Sequence, residues 1–139
     1  MNEINKWHIY RANLDPVVGS EQGKSRPVLV VSEDDINDLL NCVNVLPISS
    51  KQANRFIYPN EVLLPIGTSE LPNESLVLCH QIRTIDKRRL SLFYGEIINP
   101  EIQLEVYEAL RFQDEHQVWC RRFLFYILLF ARLTLNIFN

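Results

Sequence analysis

The stretch that decides the fold is Pro27–Val31, P-V-L-V-V, an unbroken apolar run. A short run of this kind, rich in β-branched residues, predicts a strand that is covered on both faces. A second run, Cys42–Ile48, follows after the acidic stretch Glu33–Asp38, which predicts a turn or short helix at the surface. Pro47 indicates a bulge or an edge strand, because proline has no backbone N–H to donate.

Further strands and one helix are predicted around these two runs. The strands are expected at His8–Asn13, Glu61–Leu64, Ser75–Cys79 and Leu90–Ile98. After Pro100 the apolar residues change to helical spacing, with one face formed by Ile102, Val106, Ala109 and Leu110. Five or six short antiparallel strands followed by one helix predict a mainly β domain of the α+β class, a small, partly open β-barrel with a covering helix.

The composition suits one globular domain of ordinary size. The 139 residues are 47% hydrophobic, and 14 Lys plus Arg against 17 Asp plus Glu give a net charge of −3, which argues against a uniformly basic nucleic-acid binder. Three widely spaced cysteines and three separated histidines form no disulfide framework and no metal-ligand motif, so no metal or other cofactor is expected. The first ten residues lack the apolar stretch of a signal peptide, so a cytoplasmic protein is expected.

The C-terminal part has a different composition. From Gln113 onward the chain is first polar and then rich in aromatic and aliphatic residues. Its longest uncharged run, Phe123–Ala131, ends at Arg132, whereas a spanning helix needs about 20 apolar residues, so no membrane association is expected. We therefore expect residues 1–112 to form one domain and residues 113–139 to form an apolar extension.

Three polar stretches carry candidate chemistry. The loop Gly19–Gly23 leads to Arg26, whose planar fork of donors can bind a phosphate, although a salt bridge to a carboxylate is equally open. Ser49 follows the second apolar run, where serines most often form turns. The stretch His80–Arg89 holds four cations and one carboxylate, which is more typical of a solvated surface than of a binding site. His80 itself can exchange a proton near neutral pH.

Four blocks of the sequence closely resemble the MazF/PemK toxins of bacterial toxin–antitoxin pairs. In order they are Tyr10–Gly23, Arg26–Val31, Leu46–Lys51 and Cys79–Lys87, within a match that spans about residues 7–112. The resemblance implies an SH3-like barrel, shared with the CcdB toxins, that forms a homodimer. It also implies a cognate MazE-like antitoxin, whose acidic flexible segment would compete with RNA for a cationic groove, in a complex that binds DNA.

The activity that this resemblance implies is sequence-specific, metal-independent cleavage of single-stranded mRNA, which inhibits translation and growth. The 2′-hydroxyl attacks the adjacent phosphate and leaves a 2′,3′-cyclic phosphate and a 5′-hydroxyl. Arg26 and Ser49 match the catalytic positions, where Ser49 replaces the commoner Thr and so loses the methyl that restricts its rotamer. The residues expected to bind RNA are Ser20, Glu21, Gln22, Lys24, Lys51, His80, Gln81 and Arg83.

Some positions depart from the family pattern. Trp7 and His8 stand where relatives usually have Gly-Asp, which leaves open how the first strand begins. Leu78 and His80 match an Arg and an Asp that act as acid and base in one branch of the family, and Leu78 has no such chemistry. His80 could act as a substitute base, but it is interpreted in preference as a hydrogen-bonded structural residue. Two alternatives to a nuclease stay open, a non-enzymatic CcdB-like binder that poisons DNA gyrase and a decayed, inactive copy.

Overall fold

The computed structural model describes residues 3–114 together with residues 127, 130 and 131. Within them the chain forms an open antiparallel sheet and two α-helices. The strands are β1 His8–Asn13, β2 Ser25–Val30, β3 Cys42–Ser50, β4 Glu61–Leu64, β5 Ser75–Leu78, β6 Arg83–Asp86 and β7 Leu90–Glu96. The helices are α1 Asp34–Leu39 and α2 Pro100–Asp114. The predicted class, mainly β with a covering helix after the strands, is confirmed.

One strand escaped prediction. Residues Arg83–Asp86 form β6, which pairs with the first half of β3 from Cys42↔Asp86 to Val45↔Arg83. Only Ile85 of its four residues is buried, so the stretch carries little apolar signal and its charges suggested a solvated surface.

The prediction that Pro47 marks an edge strand is wrong. β3 lies inside the sheet, whose order is β4-β5-β3-β2-β1-β7 with β6 also paired to β3. On one edge of β3 the partner changes from β6, at residues 42–45, to β5, at residues 48–50. Pro47 lies between these two pairings, where a missing N–H removes no ladder hydrogen bond on that edge.

Apolar clusters lie on both faces of the sheet. The first joins the sheet to α2 and includes Ile9, Leu29, Leu46, Ile48, Ile102, Val106 and Ala109. The second cluster lies on the opposite face of the sheet and includes Tyr10, Ala12, Leu14, Val28, Val30, Val43, Val45 and Ile85. Val28, Leu29 and Val30 of β2 are all fully buried, which confirms that the first apolar run is covered on both faces.

The outer strands of the sheet are joined by a loop and not by strand pairing. The Glu70 amide donates to Tyr94 O at 2.9 Å, and the Ser69 hydroxyl donates to Glu96 O at 2.9 Å. These bonds attach the β4–β5 connection to β7, so the sheet curls into the partly open barrel that was predicted.

β1 begins at His8 with Trp7 in a left-handed conformation before it. Trp7 has φ +71°, a region in which glycine carries no steric cost and a bulky side chain does. Its ring meets Tyr107 of α2 edge-on, with centroids 5.3 Å apart, and the Lys6 ammonium lies 4.9 Å from the Tyr107 ring centroid. These contacts offset the backbone strain and attach the N-terminal segment to α2.

The C-terminal extension falls largely outside the described residues, and the boundary expected at residues 112/113 stays a prediction. α2 continues to Asp114. In the part of the chain that is described, no helix has the length and apolar character that crossing a membrane requires.

Gly95 of β7 should tolerate substitution poorly. It has φ +116° beside a bulge where Ile9 faces Gly95 but Tyr10 faces Phe93, and a Cβ there would lie 3.2 Å from Ser69 Cβ. We expect Gly95→Ala to lower the free energy of unfolding by about 1–3 kcal/mol in urea denaturation. Gly67→Ala, at φ +89° in open space, is the control and should cost less. Equal losses at both positions would show that the Ser69 contact contributes nothing.

Candidate functional site

Arg26 on β2 and Ser49 on β3 come to the same face of the sheet. The β2–β3 pairing ends where Val28 faces Pro47. Arg26 lies two residues before Val28 and Ser49 two residues after Pro47, and alternate residues of a strand share a face, so both lie just beyond the end of the pairing on the face of Val28 and Val45. Both side chains are half-buried, so they lie at the rim of the second cluster and not within it.

Arg83 lies on the same face of the sheet. It faces Val45 across the β3–β6 pair, and Val45 and Ile85 both belong to the second cluster. Its guanidinium donates from Nη1 to Leu14 O at 2.9 Å. The strand that was missed from the sequence therefore places one of the predicted RNA-binding cations on the face that carries Arg26 and Ser49.

A hydrogen-bond network joins Arg26 to the loop before β2. Arg26 donates from Nε to Gly23 O at 2.9 Å and from Nη1 to Gln22 Oε1. The Gln22 amide donates to Gln81 Oε1 at 2.6 Å, and Gln81 Nε2 donates to Ser20 O at 3.2 Å. Gln81 thus holds the loop at two points, and the loop in turn orients the guanidinium. The salt bridge that was the open alternative for Arg26 is absent from the described residues.

A groove of about 530 Å³ lies between this loop and the segment that follows β5. Its lining consists of Val18, Ser20, Glu21, Gln22, His80, Gln81, Ile82 and Arg83. Six of the eight residues predicted to bind RNA therefore meet at one groove, although they come from stretches about 60 residues apart in sequence. The Arg26 side chain adjoins the groove through Gln22.

Lys24 and Lys51 do not line this groove. Lys51 pairs with Glu74 at 3.2 Å between Nζ and Oε1, and its backbone amide bonds Glu74 O. Lys24 is exposed, with φ +62°, and its amide donates to Asp15 Oδ1 at 2.7 Å. RNA contacts by these two lysines stay a prediction.

His80 is exposed, and its structural role stays a prediction. Its Nε2 lies 3.5 Å from Gln81 Nε2, and it lines both the first groove and a second groove of about 420 Å³. Gln22 and Gln81 also line both, so the two grooves share one wall.

The second groove contains residues that sequence reasoning missed. Arg55, Tyr58, Asn60 and Glu61, from the β3–β4 connection and the start of β4, form its far side. Arg55 and Glu61 make a bidentate ion pair, with Nη1–Oε2 and Nη2–Oε1 both at 2.7 Å. The signal in the sequence was the interleaving of Arg55 with Phe56 and Tyr58, a pattern of aromatic and cationic residues that suits single-stranded nucleic acid.

Glu61 is the buried anchor of this connection. Its side chain is 1% exposed, against 35% for Arg55. The hydrogen bonds from Arg55 lower the pKa of Glu61, against the opposing effect of burial, and the Tyr58 amide adds a bond of 3.2 Å. The carboxylate therefore stays ionised and holds both ends of residues 55–61 together.

Two exposed aromatic rings lie on the surface that Glu61 anchors. Phe56 is 71% exposed and Tyr58 55%, and their rings pack edge to face with centroids 5.4 Å apart. The Arg55 guanidinium lies 5.9 Å from the Tyr58 ring centroid. Exposed rings next to a cation at a groove can stack on unpaired bases.

The described residues bring no three or more His, Cys, Asp or Glu side chains together in a way that could hold a metal ion. Cys42 and Cys79 are free thiols, and burial raises the pKa of Cys79 to about 12, so this thiol has no nucleophilic character near neutral pH.

Replacing the buried carboxylate tests its anchoring role. Glu61→Gln should lower the free energy of unfolding by about 1.5–3 kcal/mol at pH 7, because the charged hydrogen bonds to Arg55 are lost. Since folding lowers the pKa of Glu61, its contribution is complete above the unfolded pKa of about 4.5 and is lost as the pH falls through the folded value. Urea denaturation at pH 7, 5, 4 and 3 should therefore show a shallower acid loss for Glu61→Gln than for wild type.

The control for this experiment is Asp86→Asn. The pKa of Asp86 is also lowered, chiefly by hydrogen bonds from Arg88, but that pair lies in solvent. A smaller effect on the acid loss is expected there. If the two variants change the pH dependence equally, burial of Glu61 is not what matters.

The sequence and the fold of this chain are similar to those of known proteins. A family model described as PemK-like, MazF-like toxin of type II toxin–antitoxin system matches residues 5–113. Endoribonuclease EndoA of Bacillus subtilis (strain 168) is 36% identical over 88 residues, which cover 63% of this chain and 75% of that protein. The crystal structure of MazF from Deinococcus radiodurans is 28% identical, with a TM-score of 0.68, over 80% of this chain and 96% of that one.

A MazE–MazF structure from the same organism is also similar. It is 26% identical, with a TM-score of 0.61, and covers 80% of this chain and 95% of the matched chain. The family model spans well over half of the sequence and includes the loop, the paired strands and the groove described above. The chain therefore belongs to the PemK-like, MazF-like toxins of type II toxin–antitoxin systems.

Proposed function

We propose that this toxin is a sequence-specific endoribonuclease that cleaves single-stranded mRNA without a metal ion and so inhibits translation and growth. The ribose 2′-hydroxyl attacks the adjacent phosphate and displaces the 5′-oxygen of the next nucleotide. The products are a 2′,3′-cyclic phosphate and a 5′-hydroxyl. The observation that supports the proposal is that Arg26 and Ser49 lie on one face, just beyond the β2–β3 pairing, beside a groove lined by amide and imidazole groups.

Arg26 stabilises the negative charge of the phosphorane. A guanidinium has five N–H donors, and the bonds to Gly23 and Gln22 use one at Nε and one at Nη1. The others stay available to the phosphate oxygens, and the bound loop fixes their direction before RNA arrives. Charge stabilisation by donors that are already oriented is worth about two to three orders of magnitude in rate for one donor.

Ser49 supplies a hydroxyl on the same face. It can accept a proton and donate one in a hydrogen bond to the reacting phosphate, which is the chemistry expected of the Thr that is common in relatives. The exposed imidazole of His80, on the wall that the two grooves share, can exchange protons with groups that reach the groove.

Base recognition falls to the groove walls. The Gln81 side chain is engaged with Ser20 and Gln22, so an RNA base must compete with these bonds or use the free lone pairs and donors of the same amides. Tyr58, at the far side of the second groove, and Phe56, which packs on its ring, offer stacking surfaces.

The partners follow from the same groove. Arg26 and Arg83 have no carboxylate partner among the described residues, so an acidic, flexible segment of a MazE-like antitoxin can bind there and exclude RNA. We also propose that the toxin acts as a homodimer, and that it acts in the cytoplasm, where mRNA and the antitoxin are found.

The test is cleavage of a long single-stranded RNA by the purified full-length chain in EDTA. We expect fragments with cyclic-phosphate ends from wild type, and a loss of at least about 100-fold in rate for Arg26→Ala. Arg11→Ala is the matched control, since Arg11 is an exposed arginine on the neighbouring strand but on the opposite face from Ala12, which pairs with Arg26. Its rate should equal that of wild type.

Two results would overturn the nuclease proposal. One is a wild-type protein that yields no cyclic-phosphate product, and the other is undiminished cleavage by Arg26→Ala. Growth inhibition that persists without RNA cleavage would instead support a non-enzymatic, gyrase-poisoning toxin, and loss of both activities would support a decayed copy.

A further inference from the structure

Most cations of the described chain fall into two groups by their partners. Lys6, Lys51, Arg55 and Arg88 each pair with a carboxylate, namely Glu33, Glu74, Glu61 and Asp86. Arg83 and Arg89 instead bond only backbone carbonyls, and the exposed Lys24 side chain has no partner within the described residues. Arg83 and Lys24 have no carboxylate partner within the described residues, and Arg89 interacts only through space with Asp86, which is bonded to Arg88.

All three residues of the second group make hydrogen bonds to one short segment, Asn13–Asp15. Arg89 donates from Nη1 to Asn13 O at 3.2 Å and to Asp15 O at 2.8 Å. Arg83 donates to Leu14 O between them, at 2.9 Å. On the other side Lys24 O accepts from the Leu14 amide at 2.9 Å. Lys24, Arg83, Arg88 and Arg89 are four cations against the two carboxylates of Asp15 and Asp86, which leaves a local charge of +2.

The bonds to carbonyls orient the two guanidinium groups without neutralising them. Each uses only Nη1, so Nε and Nη2 keep their donors. A guanidinium held in this way presents a fixed fork of donors, the geometry that binds phosphate oxygens in a bidentate manner. Arg83 also lines the first groove, so the cationic surface is continuous with the groove.

We propose that Lys24, Arg83 and Arg89 form a track for the RNA backbone, by which the substrate leaves the groove past Asn13–Asp15. The inference rests on the proposed function and extends it, because it assigns phosphate binding to Lys24 and Arg89, which do not line the groove, and joins them to Arg83, which does. RNA fits better than an acidic protein segment, since Arg83 joins these cations to a groove whose amide groups suit RNA bases, so that one strand can place its bases in the groove and its phosphates on the cations. The track adds affinity for longer RNA on one side of the cleavage site only.

The experiment compares short and extended RNA. Once a cleavage site is mapped, RNAs of seven nucleotides around it and of 14 nucleotides, extended on either the 5′ or the 3′ side, are bound by full-length Arg26→Ala protein, which does not cleave them. We expect one extension and not the other to raise the affinity. Arg89→Gln and Lys24→Gln should each remove roughly threefold of that gain, and each should flatten the slope of log K against log salt concentration by about 0.7.

Controls separate loss of charge from loss of structure. Arg88→Gln is matched in position, but Arg88 is 90% exposed and paired with Asp86, so no change is expected. Arg89→Lys keeps the charge and should restore most of the lost affinity. A 12-nucleotide oligo(U) gives a readout that does not depend on cleavage, and the same two losses are expected for it.

Several outcomes would overturn the track. One is equal affinity for short and extended RNA. Another is an equal loss of affinity for short and for extended RNA in Arg89→Gln. The third is a loss of affinity in these variants for a poly-glutamate peptide but not for RNA. Failure of the nuclease proposal is distinct, since wild type would then cut no RNA in the mapping step, while the oligo(U) measurement would still decide the track.

Discussion

The change of partner along one edge of β3 is the constraint on which the site depends. β3 is bound to β2 on one edge, and on the other it leaves β6 after Val45 and joins β5 at Ile48. Pro47 lies at the unpaired position between these two partners, where its lack of a backbone N–H leaves no donor unsatisfied. As a result β2, β3 and β6 bring Arg26, Ser49 and Arg83 to one face, although these residues are far apart in sequence.

Two kinds of interaction then fix the surroundings of that face. Neutral hydrogen bonds of about 1 kcal/mol each hold the loop Gly19–Gly23 through Gln81, so RNA can displace them at modest cost. The buried Arg55–Glu61 pair is stronger and holds the β3–β4 connection as a rigid wall. The site therefore combines strands β2, β3 and β6 with a β3–β4 connection held by an ion pair and a loop, Gly19–Gly23, that can adapt to RNA.

The apolar run Pro27–Val31, the mainly apolar run Cys42–Ile48 and the helical face after Pro100 were predictable, because burial and helical periodicity leave direct traces in sequence. Arg26 and Ser49 came from family resemblance, and no local pattern joins them. β6 and the Arg55–Glu61 pair were missed, since a strand with one buried residue gives almost no period and an ion pair across a loop depends on the folded path. The exposure of His80 likewise depends on where the chain leaves β5.

In the proposed reaction Arg26 and Ser49 act on one phosphate. A double-mutant cycle measures this directly, from kcat/KM for RNA cleavage by wild type, Arg26→Ala, Ser49→Ala and the double variant. We expect strong coupling between the two substitutions, with the double variant hardly slower than Arg26→Ala and a coupling energy above about 1 kcal/mol. Purely additive losses would contradict it, because they would mean that the two side chains act independently.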